Sequence, residues 1–328
     1  MKTSTKYSNI RLYRARVLFF AYFIFTLIKR GPYEPVYNKN IYKQRDDFAR
    51  SCIERDRNLT LPDGITVKSD IPYINDGISA HRLDIYRPAG RDNDVLPVMI
   101  NIHGGGLLLG SKEFNRCFCA NIAALGYIVY SIEYRLIPDC NFFNQLDDVE
   151  RAFDYISARI ESDNGDSKHI YASADSGGAC LLTYATAVNG SRDIARAAHV
   201  RPSGIKFNAI GFISGMFYTD RFDKIGLFLP NYLYGRGYKK NRFAPYVNPG
   251  NNDIIKTLPP CYMVTSHNDY LQKYTLDYEK ALTKGGIRHK LDNYPKNKKL
   301  THAFSVFEPF MDESFEVIHS MTEFFSHY

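Results

Sequence analysis

The sequence lacks tryptophan altogether, and its first thirty residues lack aspartate and glutamate. The missing tryptophan excludes no function. The missing acids are informative, because those thirty residues carry seven of the 42 basic residues, which leaves 35 basic and 35 acidic residues in the rest of the chain. The net charge of +7 therefore belongs to the N-terminus. A nucleic-acid-binding protein usually has a basic face on its folded domain, so the neutral body argues against a nucleic-acid partner.

Cysteine pairs of the kind that bind zinc are also missing. The six cysteines form no Cys-x-x-Cys pair and show no zinc spacing. Cys180 and Cys261 lie in apolar runs, and unpaired cysteine is among the most buried residue types, so we predict buried free thiols. Disulfide pairing stays open, and the sequence predicts neither a metal nor a cofactor.

One apolar run near the N-terminus is too short for a full membrane span. Val17–Ile28 holds twelve residues without a charge, whereas a span needs about 20. It suits a signal anchor, a lid helix on the folded body, or a signal peptide, although no small-x-small cleavage site follows it. Five basic residues precede the run and two follow it. This clustering favours membrane anchoring by segment 1–30, with a cytoplasmic location as the alternative.

Repeats and low-complexity segments are absent, and turn signals separate strand-like from helix-like runs. Ile65–Ile71 and Arg82–Tyr86 flank an Asn-Asp-Gly turn and predict an antiparallel pair. From Val95 onward strands alternate with helices, which predicts an α/β fold with a mostly parallel central sheet flanked by helices. We assign residues 31–64 to an N-terminal lid region and residues 65–328 to the main domain.

Residues 216–258 interrupt the alternation of strands and helices. The segment is rich in Tyr, Phe, Asn, Gly and Pro and is too long for a connecting loop. We predict an inserted helical lid over a functional site. The alternative is a helical excursion with a purely structural role. Oligomeric state stays open.

Ser176 lies at a sharp turn from a strand to a helix. The apolar run from His169 ends at Asp175, and Ser176, Gly177 and Gly178 lead into a second apolar run. Small residues allow a tight turn that exposes the serine oxygen at the edge of the sheet. The N-terminus of the following helix favours a developing anion. We therefore predict that Ser176 is a catalytic nucleophile.

A glycine triplet follows an earlier strand, in His103-Gly104-Gly105-Gly106. Consecutive glycines let backbone N–H groups point at a ligand without a side chain in the way. Such donors stabilise the oxyanion that forms when a serine attacks an acyl carbon. A flexible turn is the alternative interpretation.

An acid and a base follow the last two predicted strands. Asp269 comes after Cys261–Thr265, and His302 comes after Arg288–Tyr294, so both should lie at the same sheet edge as Ser176. We predict that His302 takes the Ser176 proton and that Asp269 orients the imidazole. The order Ser, Asp, His is that of a known hydrolase fold.

Alternatives exist for both residues. Asp269 precedes a predicted helix and could instead be its N-cap. Asp253, Asp277 and Asp292 are rival acids, but they fall in the inserted segment, on a helix and within a strand. A single histidine is more often structural than catalytic, and His302 is favoured by its position in the chain.

Together these motifs resemble the hormone-sensitive lipase branch of the α/β-hydrolases, the family of bacterial acetyl esterases and carboxylesterases. The matching stretches occur in the family's order: HGGGLLLGS at 103–111, YRLIP at 134–138, DSGG at 175–178, DYL at 269–271 and HAF at 302–304. The resemblance implies an α/β-hydrolase fold, hydrolysis of short acyl esters by an acyl-enzyme route, and no cofactor. It also implies a lid built from the N-terminal segment and an insertion before the acid strand.

The resemblance assigns the oxyanion hole to Gly105, Gly106 and Gly177, with His103, Gly104 and Asp175 as supporting motif residues. Two positions depart from the family. Ala174 stands where glycine is usual, and Gly177 stands where alanine is commoner. Neither change removes a catalytic group.

Three rival functions remain. The same triad serves amidases, formamidases and peptidases, and the sequence does not separate these from esterases. A binding protein on an inactive hydrolase scaffold commonly loses the base or the nucleophile, whereas here Ser176, Asp269 and His302 are all present. A membrane scaffold would leave the motifs unexplained. The expected partner is a small-molecule ester.

Overall fold

The computed structural model describes residues 34–223, 225–227 and 229–328. An eight-stranded sheet lies at its centre, in the order β1-β2-β4-β3-β5-β6-β7-β8. The strands are β1 (Ile65–Pro72), β2 (Arg82–Pro88), β3 (Leu96–Ile102), β4 (Ile128–Ile132), β5 (Gly165–Asp175), β6 (Ala209–Ile213), β7 (Cys261–Ser266) and β8 (His289–Tyr294). β2 is antiparallel to both β1 and β4, and all other neighbours are parallel. The predicted antiparallel opening pair and the mostly parallel sheet are confirmed.

Ten α-helices accompany the sheet in the described part of the chain. They are α1 (Glu34–Asp56), α2 (Arg116–Ala124), α3 (Phe142–Ser157), α4 (Ser176–Gly190), α5 (Arg192–Ala198), α6 (Leu229–Tyr234), α7 (Asn252–Ile255), α8 (Gln272–Lys284), α9 (Phe304–Phe307) and α10 (Asp312–Phe325). Short 3₁₀ turns cover Lys112–Asn115, Tyr238–Lys240 and Ala244–Tyr246.

The central strands of the sheet are buried on both faces, which explains their continuous apolar sequences. Every residue of β4, β6 and β7 is buried. Along β3, Val98 and Ile100 belong to one hydrophobic cluster and Met99 to another, because successive side chains of a strand point to opposite faces. α3 and α4 cover the first face, and α2 and α10 cover the second.

The last helix is shorter than the sequence pattern indicates. The amphipathic pattern of the sequence over 307–325 predicts a single last helix, but the structure has α9 and α10 with a break between them. Glu308 leaves the helical region, with φ −122° and ψ 62°, because the proline at 309 disfavours helical dihedrals in the residue before it. The expectation of one continuous helix was therefore wrong.

The segment 216–258 packs through aromatic rings onto α3 and α4. The ring of Phe142 lies 5.2 Å from that of Tyr234 and 6.3 Å from that of Phe243. The Tyr184 hydroxyl donates to the carbonyls of Tyr246 and Val247 at 2.7 and 2.9 Å. These contacts hold the segment against the body, and its role as a lid stays a prediction, as do the domain boundaries.

The N-terminal helix α1 is anchored near the glycine triplet. Arg45 Nε donates to the Leu108 carbonyl at 2.8 Å, and Arg116 Nε bonds Asp56 at 2.7 Å. Within residues 34–328, leaving out 224 and 228, no helix combines the length and apolarity needed to cross a bilayer. The run Val17–Ile28 and the predicted segment 1–30 lie outside the described residues.

Candidate active site

Ser176 begins α4 directly after the last residue of β5. Its φ is +46°, a left-handed conformation that non-glycine residues rarely adopt and that recurs at functional sites. The two glycines that follow have little space beside them. A Cβ at Gly177 would lie 2.8 Å from Leu107 N, and one at Gly178 would lie 2.4 Å from the Ile102 carbonyl oxygen. The turn is therefore tight because the end of β3 and the loop that follows it approach closely.

Three residues predicted from the sequence meet at this turn. His302 Nε2 lies 2.9 Å from Ser176 Oγ, and His302 Nδ1 lies 2.7 Å from Asp269 Oδ1. All three side chains are buried, with 4% of Ser176 and 4% of His302 exposed. They come from the ends of β5 and β7 and from the loop after β8, which parallel strands bring to one edge. The arrangement can move a proton from the serine to the imidazole.

Asp269 is held as an anion despite its burial. Burial by itself would raise the pKa of this carboxyl, but the charge and hydrogen bond of His302 and further hydrogen bonds bring it below its ordinary value. Thr265 Oγ1 donates to Oδ2 at 3.0 Å, and the Leu271 N–H donates to Oδ1 at 2.8 Å. Asp269 is not the N-cap of α8, because that position is Leu271.

The rival carboxylates have other partners. Asp253 pairs with Lys256 at 3.1 Å, Asp277 pairs with Arg221 at 2.7 Å, and Asp292 accepts from the Tyr262 hydroxyl at 2.7 Å. Asp269 is the carboxylate among these four that contacts a histidine adjoining Ser176.

The glycine triplet lies beside the turn at Ser176. Gly105 and Gly106 have φ of +111° and +64°, values that glycine adopts readily. The Gly105 carbonyl accepts from the N–H groups of Leu108 and Leu109. Within the described part of the chain, no hydrogen bond uses the N–H of Gly105 or Gly106. A Cβ at Gly177 would lie 2.9 Å from Gly106 N, so the three predicted oxyanion residues are neighbours.

His103 stabilises the loop of the glycine triplet. Its Nε2 lies 2.8 Å from Glu133 Oε1 and its Nδ1 lies 2.8 Å from the Gly104 carbonyl oxygen. The ring stacks on Tyr134 at 4.3 Å, and the Tyr134 hydroxyl donates to the His103 carbonyl at 2.8 Å. Burial opposes a charge on His103, but the Glu133 carboxylate outweighs it and raises the pKa. Hydrogen bonds that hold the loop therefore occupy both ring nitrogens of His103.

Asp175 links the turn to the same loop. Its Oδ1 accepts from the Gly104 N–H at 2.9 Å and from Asn115 Nδ2 at 2.8 Å. Its Oδ2 has no hydrogen-bond partner in the structure as described. Burial is the main reason that the pKa of Asp175 is raised. Gly104 must be glycine here, because a Cβ would lie 2.1 Å from Asp175 Oδ2.

Sequence reasoning missed four residues of this region. Glu133, Asn115 and Ser214 are buried or partly buried polar partners of the loops, and Tyr270 places its ring 4.4 Å from the His302 ring. Tyr270 is 41% exposed, so part of its side chain reaches solvent. Glu133 and Tyr270 adjoin motif residues, which is a usable signal. No sequence signal marks Asn115 and Ser214, because only the folded chain brings them next to the site.

No cluster of three or more potential metal-ligating side chains occurs among the residues described. The six cysteines are unpaired. Cys180 and Cys261 are buried as predicted, and burial raises the pKa of Cys180 to about 12. Cys52 and Cys140 are only half-buried.

Comparison with curated proteins finds carboxylesterases. Carboxylesterase NlhH of Mycobacterium tuberculosis is 28% identical over 229 residues, covering 67% of this chain and 70% of that protein. A probable carboxylesterase 2 of Arabidopsis thaliana is 25% identical over 282 residues, covering 80% of this chain and 85% of its own length.

Solved structures share the fold. Esterase B from Lactobacillus rhamnosis superposes with a TM-score of 0.83 at 21% identity, over 90% of this chain and 95% of that one. The hyperthermophilic esterase of Pyrobaculum calidifontis gives 0.66 at 24% identity, over 90% of this chain and 99% of its own.

A family model settles the relationship. The model described as the alpha/beta hydrolase fold matches residues 99–305. This range begins in β3, before the glycine triplet, and ends after His302, so it includes every residue that the site brings together. The expected fold class is confirmed, and the chain belongs to the alpha/beta hydrolase family.

Proposed function

We propose that this protein is a serine carboxylesterase that cleaves short-chain carboxylic esters through an acyl-enzyme intermediate. One observation carries the proposal: Asp269, His302 and Ser176 form a continuous hydrogen-bonded chain that ends at a strained serine. The relatives named carboxylesterase support the choice of esters.

In the first half-reaction Ser176 Oγ attacks the ester carbonyl carbon while His302 Nε2 takes its proton. The Asp269 carboxylate accepts the hydrogen bond of the Nδ1–H group and stabilises the imidazolium. The carbonyl oxygen gains the negative charge and is stabilised by the N–H groups of Gly105, Gly106 and Gly177. His302 then gives its proton to the departing alkoxide, the bond to the alcohol oxygen breaks, and the acyl group stays on Ser176.

In the second half-reaction water replaces the alcohol. His302 removes a proton from the water as its oxygen attacks the acyl carbon, and the same N–H groups stabilise the second oxyanion. Collapse of this intermediate breaks the bond to Ser176 Oγ, which recovers the proton from His302. The products are one carboxylic acid and one alcohol, and the enzyme returns to its starting state.

The proposal is tested with p-nitrophenyl acetate and butyrate and with a fluorophosphonate probe. We expect turnover of both esters by the wild type and covalent labelling that is lost in Ser176→Ala. Absence of both turnover and labelling in the wild type would overturn the enzyme assignment. Full activity in Ser176→Ala would overturn the choice of nucleophile.

Ester and amide substrates are distinguished by matched leaving groups. We expect p-nitrophenyl acetate to be cleaved with a kcat/KM at least about 10²-fold above that of p-nitroacetanilide, because the anilide is the less reactive acyl donor. The reverse order would make the protein an amidase. A chain-length series of p-nitrophenyl esters tests the preference for short acyl groups, which a maximum at long chains would contradict.

We also propose that Val17–Ile28 associates with a membrane. The support is its apolar character between clusters of basic residues. Fractionation of cells that express the full chain is the test. We expect to recover the protein in the membrane fraction and to release it with detergent but not with salt. Recovery in the soluble fraction would contradict the proposal.

A further inference from the structure

Ser214 lies between the strand that carries the serine and the strand that carries the acid. It follows β6 directly, and its N–H donates to the Val264 carbonyl of β7 at 2.9 Å. Two residues later the Met216 N–H donates to the Ser176 carbonyl at 2.9 Å. Ser214 is 1% exposed, so its hydroxyl must find partners within the protein.

The first partner of the Ser214 hydroxyl belongs to the loop that carries the base. Ser214 Oγ accepts from the N–H of Ala303 at 2.9 Å, and Ala303 is the residue after His302. Ala303 is fully buried and has φ of +48°. The bond therefore holds the backbone of the base at a point where that backbone is in an unfavourable conformation.

The Ser214 hydroxyl also lies close to the acid. A hydroxyl that accepts one hydrogen bond still has a proton to donate. The neighbouring acceptor is the Asp269 carboxylate, and Ser214 is among the groups that lower the pKa of Asp269, after His302. One side chain thus faces both the acid and the loop of the base.

The backbone of Ser214 is itself strained, with φ of +51°. Non-glycine residues in this region are rare and persist where the surrounding structure requires them. Glycine would adopt this conformation more readily but would provide no hydroxyl.

We propose that Ser214 is a positioning residue that holds the loop of His302 at the end of β6, so that the imidazole stays in line between Asp269 and Ser176. The inference rests on the proposed esterase function. It differs from the role of Thr265, whose hydroxyl donates to Asp269 Oδ2 at 3.0 Å and has no bond to the His302 loop among those described.

Two substitutions at Ser214 distinguish the effect of the hydroxyl from the effect of the strained backbone. Ser214→Ala removes the hydroxyl and keeps the strain, whereas Ser214→Gly removes the hydroxyl and relieves it. We expect kcat for p-nitrophenyl acetate to fall about tenfold in both, with KM changed less than about twofold, because a misplaced base slows chemistry more than binding. Active sites are counted with a fluorophosphonate so that kcat refers to folded enzyme. Ser314→Ala is the matched control, because Ser314 is equally buried but donates to the Glu308 carbonyl at 2.7 Å, in the stretch between α9 and α10.

The pH profile provides a readout that a merely structural role would not move. Because Ser214 lowers the pKa of Asp269, removal of its hydroxyl should strengthen the interaction of the carboxylate with the imidazolium and move the acidic limb of kcat/KM to higher pH. The other titratable groups facing the pair are Asp175 and Tyr270, and both are retained in each variant.

Three results would overturn the inference: kcat per titrated site in Ser214→Ala equal to that of Ser314→Ala, restoration of kcat by Ser214→Gly, or an unmoved acidic limb. An inactive wild type would instead contradict the proposed function. The two failures are therefore distinguishable.

Discussion

Two buried histidines near Ser176 each contact a carboxylate, and the two pairs have different roles. His302 meets Asp269 at 2.7 Å, and His103 meets Glu133 at 2.8 Å. Burial and carboxylate contact are alike in the two pairs. The difference is the second ring nitrogen, which faces Ser176 Oγ in His302 and the Gly104 carbonyl in His103. A histidine becomes a candidate base when its second nitrogen reaches a group that can lose a proton.

Two buried carboxylates extend the comparison. Asp269 accepts from His302, Thr265 and Leu271, and its pKa is lowered. Asp175 accepts two hydrogen bonds through Oδ1 and none described through Oδ2, and its pKa is raised. Burial raises the pKa of both carboxyls, and the charge and hydrogen bond of His302 outweigh this effect at Asp269 but not at Asp175.

The largest expected effect separates the two histidines. His302→Ala should lower kcat/KM for p-nitrophenyl acetate by at least about 10³-fold, because Ser176 loses its base. The measurement is steady-state kinetics on protein whose circular dichroism spectrum matches the wild type. An activity in His302→Ala close to that of a His103 variant would contradict the assignment.

The second-largest effect is expected for substitution of the acid, Asp269. Asp269→Asn should lower kcat about 10²- to 10⁴-fold, because the amide no longer stabilises the imidazolium. Since the pKa of Asp269 is lowered in the folded protein, its contribution to stability is present above the ordinary Asp pKa of about 4 and is lost as pH falls through the folded value.

Denaturant unfolding between pH 5 and pH 3 tests the same residue. The wild-type free energy of unfolding should fall with pH, and Asp269→Asn should show less of this fall. An unchanged pH dependence would argue that Asp269 is not held as an anion.

A third change tests the approach of the turn to the glycine loop. Gly177→Ala places a methyl within van der Waals conflict of Leu107 N and Gly106 N, so the predicted oxyanion donors must move. We expect a fall of about 10- to 10²-fold in kcat, since loss of a single donor costs about 10²- to 10³-fold. Unchanged kcat would show that the loop adapts at no cost.

The supporting histidine should matter less for chemistry and more for stability. His103→Gln should lower kcat about tenfold and the free energy of unfolding by about 1–3 kcal/mol, because buried partners lose their hydrogen bonds. The pKa of His103 is raised, so its stabilisation is complete below the ordinary His pKa of about 6.5 and is lost as pH rises through the folded value. Urea unfolding from pH 6 to pH 9 checks this, and an equal slope in His103→Gln would contradict it.

The smallest effect is expected at a solvent-exposed ion cluster. Arg221, Lys273 and Lys280 surround Asp277. Burial opposes the charge on Asp277, but these cations lower its pKa to about 2. Asp277→Asn should cost less than about 1 kcal/mol at neutral pH because water screens the charges, and less as pH falls towards 2. Thermal melting at pH 7 and pH 3 measures this, and kcat should not change.

The sequence alone predicts a large part of this molecule. Apolar runs at regular intervals predicted the parallel strands, and the turn at Ser176 followed from small residues between two such runs. Asp269 and His302 were placed at the right sheet edge because parallel strands direct their carboxyl ends to the same side. The length of the last helix was misjudged, since its hydrophobic period continues past Pro309.

What the sequence by itself determined is the order of elements and the residues that stand at strand ends, because these depend on local periodicity and on glycine. Only the tertiary structure decided which nitrogen of which histidine faces the serine, how many donors each buried carboxylate receives, and that Ser214 meets the loop of His302. Those features depend on contacts between residues up to 126 positions apart, and no local pattern encodes them.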